Sequence, residues 1–356
     1  MTTTIDLNED RLQAFLDRAF ADLAASYGGV MVSLGDRLGL YRALAGAGPL
    51  TSSELAERAG CAERYVREWL GSQVAAAYVD YDPEAETFEL PPEHAAVLAD
   101  PDSPMLITPA YNVPASMWMD EEQAARAFRS GEGVPWGAHD ERLFCGVAAF
   151  FKNAYSGVLV PQWLPALDGV VERLEQGARV ADIGCGHGHS TVLMAEAFPN
   201  STFLGIDAHE GSIAAAIDHA ATAGVSDRVS FEVGTATDHP GRDFDLICFF
   251  DALHDMGDPV GAARHARSAL AEGGTVMLVE PYAAERVEDN TGAVGRLYYS
   301  ASTVLCCAHA RSEGGEDVLG AQAGEARLAE VFAEAGFAHW RVADQTPFNL
   351  VLEARA

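Results

Sequence analysis

Residues 180–188, Val-Ala-Asp-Ile-Gly-Cys-Gly-His-Gly, constrain the fold more than any other segment. A short apolar run ends in Asp182. A turn follows in which Gly184, Gly186 and Gly188 alternate with Cys185 and His187, and a helix-like stretch runs from Ser190 to Phe198. Such a strand–turn–helix unit brings backbone N–H groups and a helix N-terminus to a small ligand. Glycine is needed there because a side chain would hold the ligand off the backbone. Alone, a G-x-G-x-G turn is shared by many nucleotide sites and by plain tight turns. Thr202–Asp207 reads as a second strand ending, nineteen residues after Gly188, in the carboxylate of Asp207, which can accept both hydroxyls of a ribose. The spacing departs from the G-x-G-x-x-G of dinucleotide sites.

From Arg179 onward the chain alternates between strand and helix patterns. Strands are expected at 179–183, 202–206, 228–233, 243–250, 274–280, 337–343 and 348–354, with helices between the first five. This is the pattern of an α/β, Rossmann-like, doubly wound seven-stranded sheet. The stretch from Pro281 to Glu334 reads as helical and is expected to reach back over the ligand edge of the sheet. Three regions follow: an N-terminal helical and winged-helix part over 1–95, a helical linker and substrate-lining part over 96–170, and the ligand-binding α/β part over 171–356.

Charge narrows the partners. Against 23 basic residues stand 53 acidic ones, a balance of −30. A chain this acidic repels phosphate backbones and anionic membranes, so a small molecule is expected rather than nucleic acid or a lipid surface. The polar, acidic start gives no sign of a signal peptide, and no apolar run is expected to reach the ~18 residues of a membrane span. The location expected is the cytoplasm, where all six cysteines, none in C-x-x-C or zinc spacing, would be reduced.

In the N-terminal region, 10–47 carries apolar residues at helical spacing, with a break expected at Gly28-Gly29. Exposed apolar positions on these helices predict a homodimer interface. Thr51-Ser52-Ser53-Glu54 opens a helix as a capping box. A second helix over 62–77 and a hairpin at 78–90 complete a helix–turn–helix with a wing. The second helix has two Arg and two Glu, the wrong footprint for groove binding. A structural or dimerisation role is therefore expected, and a ligand-responsive DNA-binding regulator is the rival reading.

The segment Phe244 to Met256 covers the fourth strand of the sheet and the turn after it, where residues face the ligand crevice. His254 lies in this turn, and an imidazole can take a proton from an attacking hydroxyl at neutral pH; it can equally cap a turn. Glu280 ends the fifth strand and can orient that imidazole. His187 and His189 form an H-x-H pair. No supporting ligand cluster lies nearby in sequence, and no metal is expected. Aromatic residues gather between 111 and 163, most of them core.

With Glu63–Leu70, the glycine turn, Leu253-His254-Asp255-Met256-Gly257-Asp258-Pro259 and Gly320–Arg327, nearly the whole chain resembles the winged-helix class I S-adenosylmethionine (SAM)-dependent methyltransferases. Within them it is most similar to small-molecule O-methyltransferases of an actinobacterial branch. The resemblance implies methyl transfer to a small-molecule hydroxyl, with His254 as general base in an H-D-W-like motif whose tryptophan is replaced by Met256, and Glu280 flanking it. It implies a SAM site made of Asp182, Gly184, Gly186, His187, Gly188, Asp207, His209, Thr235, Ala236, Phe250 and Asp251. Where many relatives carry Asp near the adenine, Thr235 follows Gly234. Trp136, His139, Phe151, Tyr155 and Tyr299 are the expected acceptor-lining residues. N- or C-methylation with His254 only positioning the acceptor, or SAM binding for another reaction, are the rival activities.

Overall fold

The computed structural model describes residues 7–356. These divide into two compact units, one formed by the chain up to Ala115 with Cys145–Asn153, the other by Ser116–Phe144 with Ala154–Ala356.

In the first unit, helix α1 runs unbroken over Glu9–Arg37, capped by the Asn8 side chain. The break expected at Gly28-Gly29 does not occur. Each glycine costs a helix only about 1 kcal/mol, and the C-terminal half of α1 is held by packing. Val32 is buried, the Trp69 indole donates to the Met31 carbonyl at 2.8 Å, and Gly35 sits where a Cβ would lie 2.6 Å from the Tyr41 ring. At Gly29 the missing side chain admits the Tyr111 ring. The capping box at Thr51 and Glu54 is present and starts the helix Ser52–Ala59. The helix Glu63–Ala75 and the hairpin of β1 (Asp80–Asp82) and β2 (Thr87–Glu89) complete the winged helix–turn–helix around a core containing Tyr41, Leu55, Val66, Trp69 and Leu70.

The second unit is built on a seven-stranded sheet. Its strands are β3 (Arg179–Ile183), β4 (Thr202–Asp207), β5 (Val229–Val233), β6 (Phe244–Phe250), β7 (Leu270–Pro281), β8 (His339–Gln345) and β9 (Asn349–Arg355). The order is β5-β4-β3-β6-β7-β9-β8. β3 to β7 are parallel, and β9 pairs antiparallel with both β7 and β8. The central strands are near-continuous apolar runs because helices cover both faces. One link differs from expectation: no helix joins β5 to β6. The connection 234–243 holds Gly234, Pro240 and Gly241 and is too short and too broken for one. Below the sheet, the helix Pro259–Ala269 is capped by Asp258 and buries Ala262, Ala263, Ala266 and Ala269, whose small size allows close packing on β6 and β7.

The continuous helical stretch Arg142–Ala166 has a mean hydropathy of 1.5 over its best 18-residue window, long and apolar enough by composition to cross a membrane. Lys152 and Asn153 interrupt its apolar residues, so no unbroken apolar run of ~18 residues is formed.

The topological switch lies between β3 and β6, whose chains continue to opposite sides. In such sheets the crevice outside the carboxyl ends of these strands is the ligand position.

Candidate methyl-donor site and catalytic centre

The turn after β3 is shaped by three left-handed glycines. A Cβ on Gly184 would meet the Ala252 side chain at 2.6 Å, and one on Gly188 would meet the Phe231 ring at 2.6 Å. On Gly186, with φ of +52°, it would meet nothing within 4 Å. The outer glycines thus let the turn pack, while the middle one leaves open space beside the backbone. The turn is tied to β4: Gly184 and Cys185 donate to the Ile206 carbonyl, and Gly186 N–H donates to Asp207 Oδ2 at 2.9 Å. Asp207 Oδ1 accepts from His209 N–H at 2.8 Å. Each carboxylate oxygen keeps a further lone pair for a ligand.

Asp182 lies beneath this turn, buried. Its Oδ2 accepts from the Ser190 and Thr191 hydroxyls at 2.7 and 2.6 Å, while Oδ1 is buried without a partner. Burial raises its pKa to about 6, with the two hydroxyls pulling the other way. An orphaned acceptor, an open glycine and the N-terminus of the helix His189–Ala197 fit a ligand with an ammonium and a carboxylate. His187 is half-buried, and its ring centroid is 6.1 Å from that of His219. Burial first, then His219, lowers its pKa. His189 opens the helix, one residue ahead of the expected start at Ser190. His209 caps the next helix by accepting from Ser212 N–H, and its ring stacks on Phe144 at 4.6 Å. Thr235 is exposed, and Ala236 is half-buried against the core.

The segment after β6 holds the ionisable groups. Asp251 takes a left-handed backbone with φ of 50°. Its carboxylate accepts from the Tyr155 hydroxyl at 2.8 Å and from Asn349 Nδ2 at 3.0 Å. Burial, then the neighbouring Glu280, raises its pKa to about 7. Phe250 is buried against the Tyr155 ring.

His254 is 4% exposed and Glu280 2%. His254 Nδ1 pairs with Glu280 Oε2, and Glu280 Oε1 accepts from the backbone N–H of Leu253 and His254 at 3.1 and 3.3 Å. The carboxylate therefore fixes both the imidazole and the turn that carries it. On the other side, Nε2 lies 3.1 Å from Asp255 Oδ1. The contact pairs the imidazole with a carboxylate that the Cys306 thiol also faces. Burial alone would lower the His254 pKa, but the Asp255 and Glu280 carboxylates outweigh it and hold it well above the ordinary value.

The segment after β7 does reach back over this edge, since Gly320 N–H donates to the His254 carbonyl at 3.2 Å. It also brings Cys306, at the start of the helix Cys306–Ser312, against His254 and Asp255. Cys306 lies about fifty residues from His254 and Asp255 in sequence, and only the tertiary return of the chain joins them. Tyr299, expected to line the acceptor, is exposed, and Tyr298 is the closer neighbour of Asp251 and His254. Burial and then Asp251 raise the Tyr298 pKa, and its hydroxyl donates to the Phe348 carbonyl.

Trp136 lies between His139 and His309, with its backbone N–H donating to His309 Nδ1 at 3.2 Å. His139 is buried and pairs through Nδ1 with Asp120 at 2.8 Å, a partner that sequence reading missed. Phe151 belongs to the first unit and packs edge-on against Phe150.

Comparison with known proteins places residues 26–100 in the Rv2258c-like winged HTH domain and residues 174–336 in a methyltransferase domain. The 27-O-demethylrifamycin SV methyltransferase of Amycolatopsis mediterranei is 37% identical over 108 residues, 30% of this chain and 39% of that protein. The chain thus matches about two fifths of the length of this curated relative. The structure of the mitomycin 7-O-methyltransferase has a TM-score of 0.70 at 20% identity, covering 98% of this chain and 100% of that one. Human N-acetylserotonin methyltransferase, solved with SAM, has a TM-score of 0.71 at 16% identity, covering 100% of this chain and 99% of that one.

Proposed function

Because the chain joins a winged helix–turn–helix domain to a class I methyltransferase domain, we propose that it transfers a methyl group from SAM to a hydroxyl of a small-molecule acceptor. The observation that carries this reading is the buried His254–Glu280 pair at the carboxyl edge of the sheet that also bears the open glycine turn. SAM, when bound, supplies an electrophilic methyl carbon on a sulfonium. Gly186 gives the backbone close approach, Asp182 Oδ1 offers an acceptor for the ammonium, and Asp207 accepts from the ribose hydroxyls. His254 Nε2 would take the acceptor's hydroxyl proton as the methyl carbon passes from sulfur to oxygen, with S-adenosylhomocysteine as the leaving group. Glu280 holds the ring through Nδ1 and stabilises the imidazolium that results. The chain's further task is to hold the hydroxyl in line at about 3 Å from the methyl carbon.

Oxygen as the acceptor atom is favoured by the similar proteins named above, and the aromatic side chains around Trp136 suit an apolar or aromatic acceptor. The experiment is methyl transfer from labelled SAM to a panel of hydroxylated aromatic compounds. His254→Ala should keep the affinity for S-adenosylhomocysteine and lose rate by roughly 10²–10⁴-fold. Turnover of that variant at the wild-type rate would remove the base and favour acceptors, such as amines, that need only positioning.

Three finer points belong to this reading. The homodimer is supported by α1, where Leu16, Phe20, Leu23, Tyr27, Val30 and Leu34 recur at alternating spacings of four and three and all lie exposed. That is the seam of a helix pair. A role without nucleic acid is supported by the helix Glu63–Ala75, whose Arg64 and Arg67 are paired with Glu68 and Glu63 at 2.6 and 2.7 Å. A cytoplasmic setting agrees with all six cysteines being free.

A further inference from the structure

His254, Asp255 and Cys306 converge although about fifty residues separate the first two from the third. One imidazole nitrogen, one carboxylate oxygen and the thiol sulfur lie within 4.8 Å of one another, and no other such group of potential metal ligands occurs among the described residues. Nε2 is the nitrogen on the Asp255 side, 3.1 Å from Oδ1, and the Cys306 thiol faces the same carboxylate, whose Oδ1 is buried. His254 and Cys306 are buried. Nδ1 is held by Glu280, which is how ligating imidazoles are oriented in carboxylate–histidine–zinc arrangements.

We propose that His254, Asp255 and Cys306 form a binding site for a divalent transition metal of the zinc type, with Glu280 as the carboxylate that orients the imidazole. The donor set decides the class. Imidazole nitrogen with sulfur suits zinc or cobalt, whereas magnesium and calcium take oxygen. In a tetrahedron with bonds of about 2.0–2.3 Å the ligand atoms stand roughly 3.3–3.8 Å apart. The imidazole–carboxylate separation is already near that, and the sulfur lies within 4.8 Å of both atoms. Three protein ligands leave one position open. An incoming cation displaces the proton of the Cys306 thiol, and that of His254 Nε2 where it is present, to solvent. A metal on Nε2 occupies the lone pair that a general base needs, so zinc should inhibit methyl transfer. That consequence rests on the proposed function; binding itself does not.

The test is a cobalt(II) titration of the untagged, full-length protein with no acceptor or methyl donor present. A thiolate-to-cobalt charge-transfer band should appear, vanish when zinc is added, and be absent in Cys306→Ala, whose fold is checked by circular dichroism. Glu280→Gln keeps the side-chain volume and should weaken cobalt binding 10–100-fold. No charge-transfer band in the wild type, the same band in Cys306→Ala, or unchanged affinity in Glu280→Gln would each overturn the site. None of these results bears on methyl transfer, which is measured separately.

Discussion

Replacing Gly186 and Gly188 one at a time by alanine should separate ligand binding from folding. The two glycines look alike in sequence, and both have left-handed backbones, with φ of +52° and +73°. An alanine in that region costs about 1–2 kcal/mol at either position. At Gly186 nothing more is added, because no protein atom lies within 4 Å of the new methyl. At Gly188 the methyl would press on the Phe231 ring at 2.6 Å and the Ala216 side chain at 2.9 Å. Overpacking of that kind adds about 1–3 kcal/mol. For a domain of this size 1 kcal/mol moves Tm by roughly 2–4 °C. Gly186→Ala should then melt roughly 2–8 °C below the wild type and Gly188→Ala roughly 4–20 °C below, with the larger fall in Gly188→Ala. Binding should reverse the order. The Gly186 methyl fills the space assigned to the methyl donor, so the affinity for S-adenosylhomocysteine should drop by roughly 5–150-fold, the equivalent of 1–3 kcal/mol of steric cost. Ligand-free thermal melts and titration calorimetry read the two effects. Wild-type affinity in Gly186→Ala would show that the open side of the turn does not face the ligand.

Two further outcomes follow from the charges and from α1. Because Asp255 and Glu280 hold the His254 pKa well above its ordinary value, the transfer rate should fall as pH drops through a point above about 6.5. Glu280→Gln should move that fall to lower pH, and a pH–rate profile unchanged in that variant would detach Glu280 from the base. Phe20→Glu, in the middle of the exposed seam of α1 where Phe20 is 73% exposed, should turn a dimer into a monomer by light scattering; a monomeric wild type at micromolar concentration would refute the interface.

How much of this was legible in the sequence depended on range. The sheet strands appear within a few residues of their expected places, because parallel central strands must be apolar runs bounded by turns. The capping box at Thr51 and the glycine turn were local signals and hold. Gly28-Gly29 misled because local propensity is weak against tertiary packing: Trp69 and Tyr41, distant in sequence, hold the helix together. The β5–β6 link misled because a βα alternation was extended by rule to a connection holding Pro240 and two glycines. The candidate site divided in the same way. Asp182, Asp207, His254 and Glu280 stand at strand ends, where topology alone places them. Asp255, Cys306 and Tyr298 join the site through chain returns that no periodicity encodes, and the Asp120–His139 pair spans two helical segments with no motif between them.

The ionisable groups have one energetic feature in common. Asp182, Asp251 and Glu280 stand at the carboxyl ends of β3, β6 and β7, while the strands behind them are lined by Ala181, Ile183, Ile247, Phe249, Val276 and Leu278. The pKa values of Asp182 and Asp251 are raised to about 6 and about 7. A carboxyl raised above its unfolded value near 3.9 contributes stability that is complete below that value and is lost as pH rises through its folded one. At neutral pH both groups are therefore a cost to the fold. His254 has the complementary sign for charge: its stabilisation is full below about 6.5 and is lost only as pH rises through its raised value, so at neutral pH it offsets the carboxylates beside it. Apolar side chains of similar volume would hold a sheet edge at least as well as these buried charges. Their concentration at one edge, with an acceptor oxygen of Asp182 left unpaired, is what a site built to receive a cation requires. On the proposed function and the proposed metal site, a sulfonium donor or a divalent metal would supply that charge from outside and turn this cost into affinity.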